Sequence, residues 1–165
     1  MKVAIVVGNP KPQSRTLQTA LSVAAALSLP AADTVVDLAE HAGRLFTWPD
    51  PVLDDLTARV AASDLLIVAS PTYKATYTGM LKAFLDRYPG NGLAGVVAVP
   101  VMTGGAPDHA LAVEAYLRPL LVELGASAPT RGLYMVMSRM AERDQIVADW
   151  ATANAPLLRG AGVTA

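Results

Sequence analysis

MKVAIVVGNPKPQSRT, residues 1–16, is the stretch that decides the fold. The apolar run 1–7 has the composition of a buried strand, and GNPKPQSRT (8–16) is a polar loop rich in hydroxyls and cations. An apolar-periodic segment follows, with Leu17, Leu21, Ala24 and Leu27 on one face, ending at Pro30. Strand, polar loop and helix in this order form an anion grip: the first N–H groups of a helix lack internal partners, and its dipole favours negative charge there. Ser14 and Thr16 add hydroxyls, while Lys11 and Arg15 add charge, Arg15 as a planar fork. The loop has neither GxGxxG nor GxxxxGK[ST] spacing, which excludes a dinucleotide fingerprint and a P-loop. A plain strand-to-helix turn with Ser14 as N-cap is the alternative.

Working outward, the strand–helix alternation repeats. Residues 33–38 read as a second strand, 41–52 (HAGRLFTWPDPV) as an irregular surface loop, and 53–62 as a helix with Asp54 and Asp55 in its first turn. LLIVA (65–69) is a continuous apolar run, as in a strand covered on both faces. A helix from Thr78 or Gly79 turns Leu81, Phe84 and Leu85 inward and stops before Pro89. Residues 95–102 form a fourth strand, 108–124 a long helix capped by Gly125, 131–136 a fifth strand and 142–158 a last helix. Pro100 threatens the fourth strand with a bulge, and Pro119 leaves the carbonyl of Ala115 without its donor, predicting a kink or a one-residue π-bulge near 115–119. The alternation predicts a parallel sheet covered by helices on both faces, with strand order 2-1-3-4-5 first among the right-handed topologies. Ligands then bind at the carboxyl ends of strands one, three and four.

Composition narrows the classes. The 165 residues fit one domain spanning 1–165; 53% are hydrophobic and 16% charged, which excludes a disordered chain. A net charge of −1 gives no electrostatic footprint for nucleic acid. The absence of Cys excludes disulfides and thiolate chemistry, and two separated His residues give no transition-metal site. The apolar start breaks at Gly8 and no stretch has the length of a membrane span. The expectation is a soluble, cytoplasmic protein without nucleic-acid or membrane partners.

The loops after strands three and four complete a site. In SPTYKATYTGMLKAFLD (70–86), Pro71 and Thr72 turn the chain and bring Tyr73 beside a ligand as a flat wall, with Lys74 as a donor to a carbonyl or phosphate. In TGGAPDH (103–109), consecutive glycines allow close backbone approach and offer N–H donors. A phosphate grip, an aromatic wall and a donor-rich turn suit FMN, whose reduced form carries negative charge at its N1/C2 carbonyl edge, where Gly104 and Gly105 would stand.

These three motifs, in this order across residues 1–126, resemble the flavodoxin-like NAD(P)H-dependent FMN reductases, most of all the reductase partners of alkanesulfonate monooxygenases. The resemblance implies a flavodoxin-like three-layer fold and hydride transfer from NADPH or NADH to FMN. It implies that Asn9, Lys11, Ser14, Arg15 and Thr16 surround the phosphate. Pro71, Thr72, Tyr73 and Lys74 would line the ribityl chain and ring, and Thr103, Gly104 and Gly105 would meet the pyrimidine. Asn9 and Lys11 replace the Ser and Arg often found there. Some such reductases insert a tyrosine that forms a π-helix after the third loop; Ala115 stands at that position here, with Tyr116 beside it. A monooxygenase receiving reduced flavin is implied by the resemblance alone.

Other residues have plainer readings. Tyr77 suits packing, Lys82 and Asp86 an exposed i,i+4 ion pair, Asp86 and Arg87 a subunit contact, and His109 a solvated first turn; no residue is a catalytic acid or base. Surplus apolar residues on the third helix and the long helix predict a homodimer or homotetramer. Alternatives are a reductase of quinones, azo dyes or metal oxyanions that retains FMN, a flavodoxin-type electron carrier, and a receiver-type module. The last needs an acidic cluster at the strand ends that Asp33, Asp37 and Asp108 do not make.

Overall fold

The computed structural model describes residues 1–163. Five parallel strands, β1 (Val3–Val7), β2 (Thr34–Asp37), β3 (Leu65–Pro71), β4 (Val97–Gly104) and β5 (Leu133–Val136), form one sheet in the order β2-β1-β3-β4-β5. Val3 to Val7 pair with Leu65 to Ala69, and Leu65 to Pro71 with Val97 to Thr103. β3 and β4 are buried along their whole lengths, which is why both read as unbroken apolar runs.

Helices α1 (Arg15–Ala26) and α5 (Arg143–Gly160) cover one face and pack on each other; α2 (Pro51–Ala61), α3 (Gly79–Leu85) and α4 (Arg118–Glu123) cover the opposite face. Ile5, Val7, Ile67, Val99 and Met135 point to the first layer, and Val6, Leu66, Val68 and Met102 to the second, beneath Leu81, Phe84, Leu117 and Leu121. Each side chain buried this way contributes about 1.5–3 kcal/mol of transfer free energy.

Several boundaries differ from the sequence reading for physical reasons. α1 stops before Pro30: Ser28 takes a left-handed φ of 55°, and Leu29 N–H and Ser28 N–H close on the carbonyls of Ala24 and Ala25 at 3.1 and 3.0 Å, a Schellman stop. Of the expected inner face of α1, Leu17, Ala24 and Leu27 are buried, but Leu21 is 44% exposed; Thr16, Ala20 and Val23 complete the buried face. Segment 41–52 is more ordered than expected. A 3₁₀ turn, Leu38–Arg44, follows β2, and Asp50 caps α2 by accepting the N–H groups of Val52 and Leu53 at 3.0 Å. Arg87 does not face outward: its guanidinium lies 4.0 Å from the Trp48 ring, pairs with Asp54 at 2.6 Å and donates to the Thr47 carbonyl. Lys82 and Asp86 form the expected exposed pair at 2.5 Å.

Pro100 causes no bulge. Ala98 N–H donates to Ser127 O at 2.7 Å, so two residues on the Pro100 nitrogen faces the same side, before β5 pairing begins at Val101 and Leu133. Pro119 acts as expected: residues Val113–Leu117 form a π-helical turn leading into α4, closed by Arg118 N–H on the Val113 carbonyl. The turn is anchored by its own side chains. Arg118 holds Glu114 at 2.5 Å and donates to the carbonyls of Ala128 and Thr130, while Glu114 accepts Gly132 N–H at 2.7 Å.

Arg118 holds the Glu114 carboxyl below its ordinary value near 4.5, with the Gly132 bond assisting against partial burial. A depressed folded value means that the pair stabilises fully above the unfolded value and loses its contribution as pH falls through the folded one. Glu114→Gln is therefore expected to lower stability by about 0.5–1 kcal/mol at neutral pH, the difference shrinking as pH falls below the ordinary carboxylate value and through the depressed folded one. Urea midpoints of both proteins across pH test this; a difference independent of pH would refute it.

Candidate functional site

The loops after β1, β3 and β4 meet at the carboxyl edge of the sheet around a cleft of about 500 Å³. Loop one, residues 8–14, is held from below. The Gly8 carbonyl accepts Thr78 Oγ1–H at 2.6 Å, and Thr78 Oγ1 in turn caps α3 by accepting Leu81 N–H. A Cβ on Gly8 would stand 2.4 Å from Leu81 Cβ, so only glycine lets α3 approach this closely. Asn9 Nδ2 donates to Thr16 Oγ1 at 2.9 Å, and the Thr16 and Thr103 hydroxyls share a hydrogen bond at 2.8 Å, tying loop one to β4. Asn9 Oδ1 accepts Lys11 N–H, and buried Asp37 accepts the N–H of Gln13, whose φ is 52°.

Ser14 is buried and its Oγ accepts Leu17 N–H at 3.2 Å, which makes it both the N-cap of α1 and a wall of the cleft. The N–H groups of Arg15 and Thr16 take no backbone acceptor outside the helix among the described residues, as expected of a helix start open to a ligand. Lys11 and Arg15 line the rim, exposed, and neither enters an ion pair among the described residues.

Loop two leaves β3 through Pro71. Thr72 N–H donates to the Thr103 carbonyl at 2.7 Å, and Tyr73 and Thr76 exchange backbone hydrogen bonds at 2.9 and 3.3 Å. Between them Lys74 and Ala75 both take left-handed φ, 52° and 69°, making a tight two-residue reversal. Tyr73 stands 52% exposed on the cleft wall. Thr72 lines the cleft, and its Oγ1 is buried without a hydrogen-bond partner among the described residues. A buried hydroxyl left unpaired costs on the order of 1–3 kcal/mol unless a ligand satisfies it. Loop three brings Thr103, Gly104 and Gly105 to the opposite wall, Gly105 open to the cleft and Gly104 pressed against Tyr134.

A wider depression of about 720 Å³ lies between α1 and α5, but it is an open surface hollow, and its Arg143 is engaged by Asp144 at 2.9 Å. The described residues contain no cluster of His, Cys, Asp and Glu able to hold a metal ion, and no helix among them is long and apolar enough to cross a membrane.

The sequence model of the family described as NADPH-dependent FMN reductase matches residues 1–140. The chain belongs to this family. It is 41% identical over 87 residues to an FMN reductase (NADPH) of Escherichia coli (strain K12), an alignment covering 53% of this chain and 46% of that protein. The chain thus spans about half the length of that curated relative. Similarity to the NADH-dependent FMN reductase SfnF of Pseudomonas fluorescens (strain Pf0-1) is 31% over 150 residues, 86% of this chain and 80% of the relative. Among solved structures, the apo form of an NADH:FMN oxidoreductase (EMOB) superposes with a TM-score of 0.78 at 29% identity, covering 92% of this chain and 89% of the other. The fold is the flavodoxin-like α/β/α sandwich expected from the sequence.

Of the FMN reductase site residues read from sequence, Asn9, Lys11, Ser14, Arg15 and Thr16 line the cleft from loop one, Pro71, Thr72 and Tyr73 from loop two, and Thr103, Gly104 and Gly105 from loop three. Lys74 does not line it; the left-handed reversal carries it to the tip of loop two. Three further residues line the cleft that the motifs do not single out. Gln13 is inside the polar loop, Gln18 lies one helical turn beyond Ser14, and Met137 follows β5, past the end of the motif resemblance. His109 lies in an exposed 3₁₀ turn, Pro107–His109, outside the cleft, and Tyr77 packs against the core as expected.

Proposed function

We infer that this protein is an NAD(P)H:FMN oxidoreductase and that the cleft at the ends of β1, β3 and β4 holds FMN. The observation that carries the reading is the cleft's two unlike ends. An open helix start with two unpaired cations suits a phosphate, and an exposed tyrosine facing a glycine turn suits a flat ring.

Arg15, Ser14 and Thr16, with the first N–H groups of α1, bind the phosphate; Asn9 and Thr103 hold Thr16 in place for it. Tyr73 covers the ring, and the N–H of Gly105, just beyond the end of β4, meets its pyrimidine edge, while Gly104 N–H stays in the ladder with β5. FMN, when bound, supplies a ring that accepts hydride from a nicotinamide. The chain orients the two rings and excludes other partners, and no side-chain acid or base is required of it. Both nicotinamides occur in the names of relatives, so NADPH and NADH are both donors to test.

Delivery of reduced flavin to a monooxygenase follows from the family resemblance, and the cysteine-free composition agrees with a reducing cytoplasm. Leu111, Tyr116 and Val122, exposed on the π turn and its flanks, are the apolar residues of the long helix left for a homodimer or homotetramer contact, while Tyr77 and Met80 of the third helix pack on the core.

Stopped-flow oxidation of NADPH and NADH with and without FMN, paired with light scattering on a gel-filtration column, tests these statements together. FMN-dependent turnover, flavin lost on the column and a mass at least twice the chain are expected. Flavin retained through the column transfers the reading to a tightly bound quinone, azo or oxyanion reductase. No nicotinamide oxidation points to an electron carrier, and a monomeric mass removes the oligomer.

A further inference from the structure

We propose that Tyr134, which does not line the cleft, is a positioning residue that sets the electrostatic field the third loop presents to bound flavin. The inference rests on the FMN reading above and names a residue that reading leaves out. Tyr134 lies on β5 and pairs in register with Met102 of β4, its ring partly buried against the hydrophobic core. Its hydroxyl donates to the Ala106 carbonyl at 3.0 Å. The ring also supports Gly104 directly, since a Cβ there would meet Tyr134 Oη at 1.8 Å and Cζ at 2.7 Å.

The chemistry of the Ala106–Pro107 peptide gives the hydrogen bond its meaning. Every other peptide unit of this loop carries both an N–H and a C=O, but the unit preceding Pro107 has only the carbonyl. Turned toward the cleft, it would present the negative end of its dipole and nothing else. Engaged by Tyr134, the carbonyl is held toward β5; Gly104 N–H is spent in the β4–β5 ladder, and the Gly105 N–H, just past the end of β4, is left to dominate the field at the pyrimidine edge. A field of that sign favours reduced flavin, whose charge gathers at N1 and the C2 carbonyl, over oxidised flavin. Tyr134 therefore acts on the difference in affinity between the two redox states more than on affinity itself.

The test uses Tyr134→Phe, which keeps the ring and removes the hydroxyl. Dissociation constants are measured for oxidised FMN, riboflavin and, anaerobically, reduced FMN, with urea midpoints alongside. Oxidised FMN and riboflavin are expected to weaken by the same small factor, about threefold. Reduced FMN is expected to weaken about tenfold beyond that, equivalent to a bound potential about 30 mV more negative for a two-electron couple. Tyr134→Met, which removes the hydroxyl together with the ring and leaves a smaller flexible side chain, is expected to show the same shift between redox states and serves if the first variant folds poorly. Equal loss for both redox states overturns the proposal, as does a lowered urea midpoint with unchanged affinities, the signature of a purely structural tyrosine. A wild-type protein that binds no flavin overturns the FMN reading itself, and so the two failures are distinguishable.

Discussion

Gly104→Ala is expected to reduce flavin affinity by at least about a hundredfold and to cost about 1–3 kcal/mol of stability. The added Cβ would stand 1.8 Å from Tyr134 Oη, 2.7 Å from Cζ and 3.4 Å from Thr72 Oγ1. Two of those atoms belong to a rigid phenol packed into the core, so the end of β4 must move rather than a side-chain tip. That end leads directly into the Gly105 N–H assigned to the pyrimidine edge, and a displacement near ~1 Å there costs about two orders of magnitude. FMN and riboflavin should weaken by the same factor, because the phosphate lies at the opposite end of the cleft. Adding Tyr134→Phe should not restore binding, since Cζ remains in the way. Fluorescence titration with both flavins measures the loss. Retention of affinity within about threefold would show that loop three is not the ring's seat.

Neighbouring Gly105, by contrast, has open space where its Cβ would be. The Gly-Gly pair looks uniform in sequence, yet only its first member is sterically fixed, because the constraint comes from a tyrosine on a different strand, far along the chain. That asymmetry typifies what a sequence does and does not display. LLIVA at 65–69 announces a doubly covered strand, since burial on both faces needs no alternation, and Pro119 announces the π turn, since a missing donor is visible from the chain alone. The start of α1 is legible for the same reason: Ser14, Arg15 and Thr16 stand within one helical turn of each other, with Ser14 as the N-cap.

What local chemistry misleads on is packing between distant segments. Leu21 outranks Ala20 in hydrophobicity, but Ala20 is buried with Leu17, Val23 and Ala24 while Leu21 is left outside. Arg87 reads as a surface cation, and its burial depends on Trp48, Asp54 and the Thr47 carbonyl, all distant in the chain. Lys74 reads as a ligand donor because nothing in Lys-Ala announces the paired left-handed angles that Gly or Asn normally signal. Thr16 is the instructive mixed case: its position at the helix start is plain, while its bonds to Asn9 and Thr103 emerge only when β4 is laid beside β3 and β1.

Arg15→Ala should separate the two ends of the cleft. Arg15 is the first residue of α1, exposed on the cleft rim and without an ion-pair partner among the described residues, so its guanidinium is available to a phosphate. A hydrogen bond to a charged group contributes about 1.5–3 kcal/mol, and the expected loss in FMN affinity is therefore on the order of 10- to 150-fold. Riboflavin has no phosphate and should bind the variant and the wild type alike. Raised ionic strength should narrow the FMN difference, because Arg15 is exposed and its attraction is screened. Stability should hardly change: alanine suits a helix start, and Ser14 still caps Leu17 N–H. Arg15→Lys should retain only part of the lost affinity, since an ammonium replaces charge but not the planar fork. If Arg15→Ala weakens FMN and riboflavin equally, the arginine is supporting the cleft as a whole. If it weakens neither, the phosphate does not sit at the start of α1.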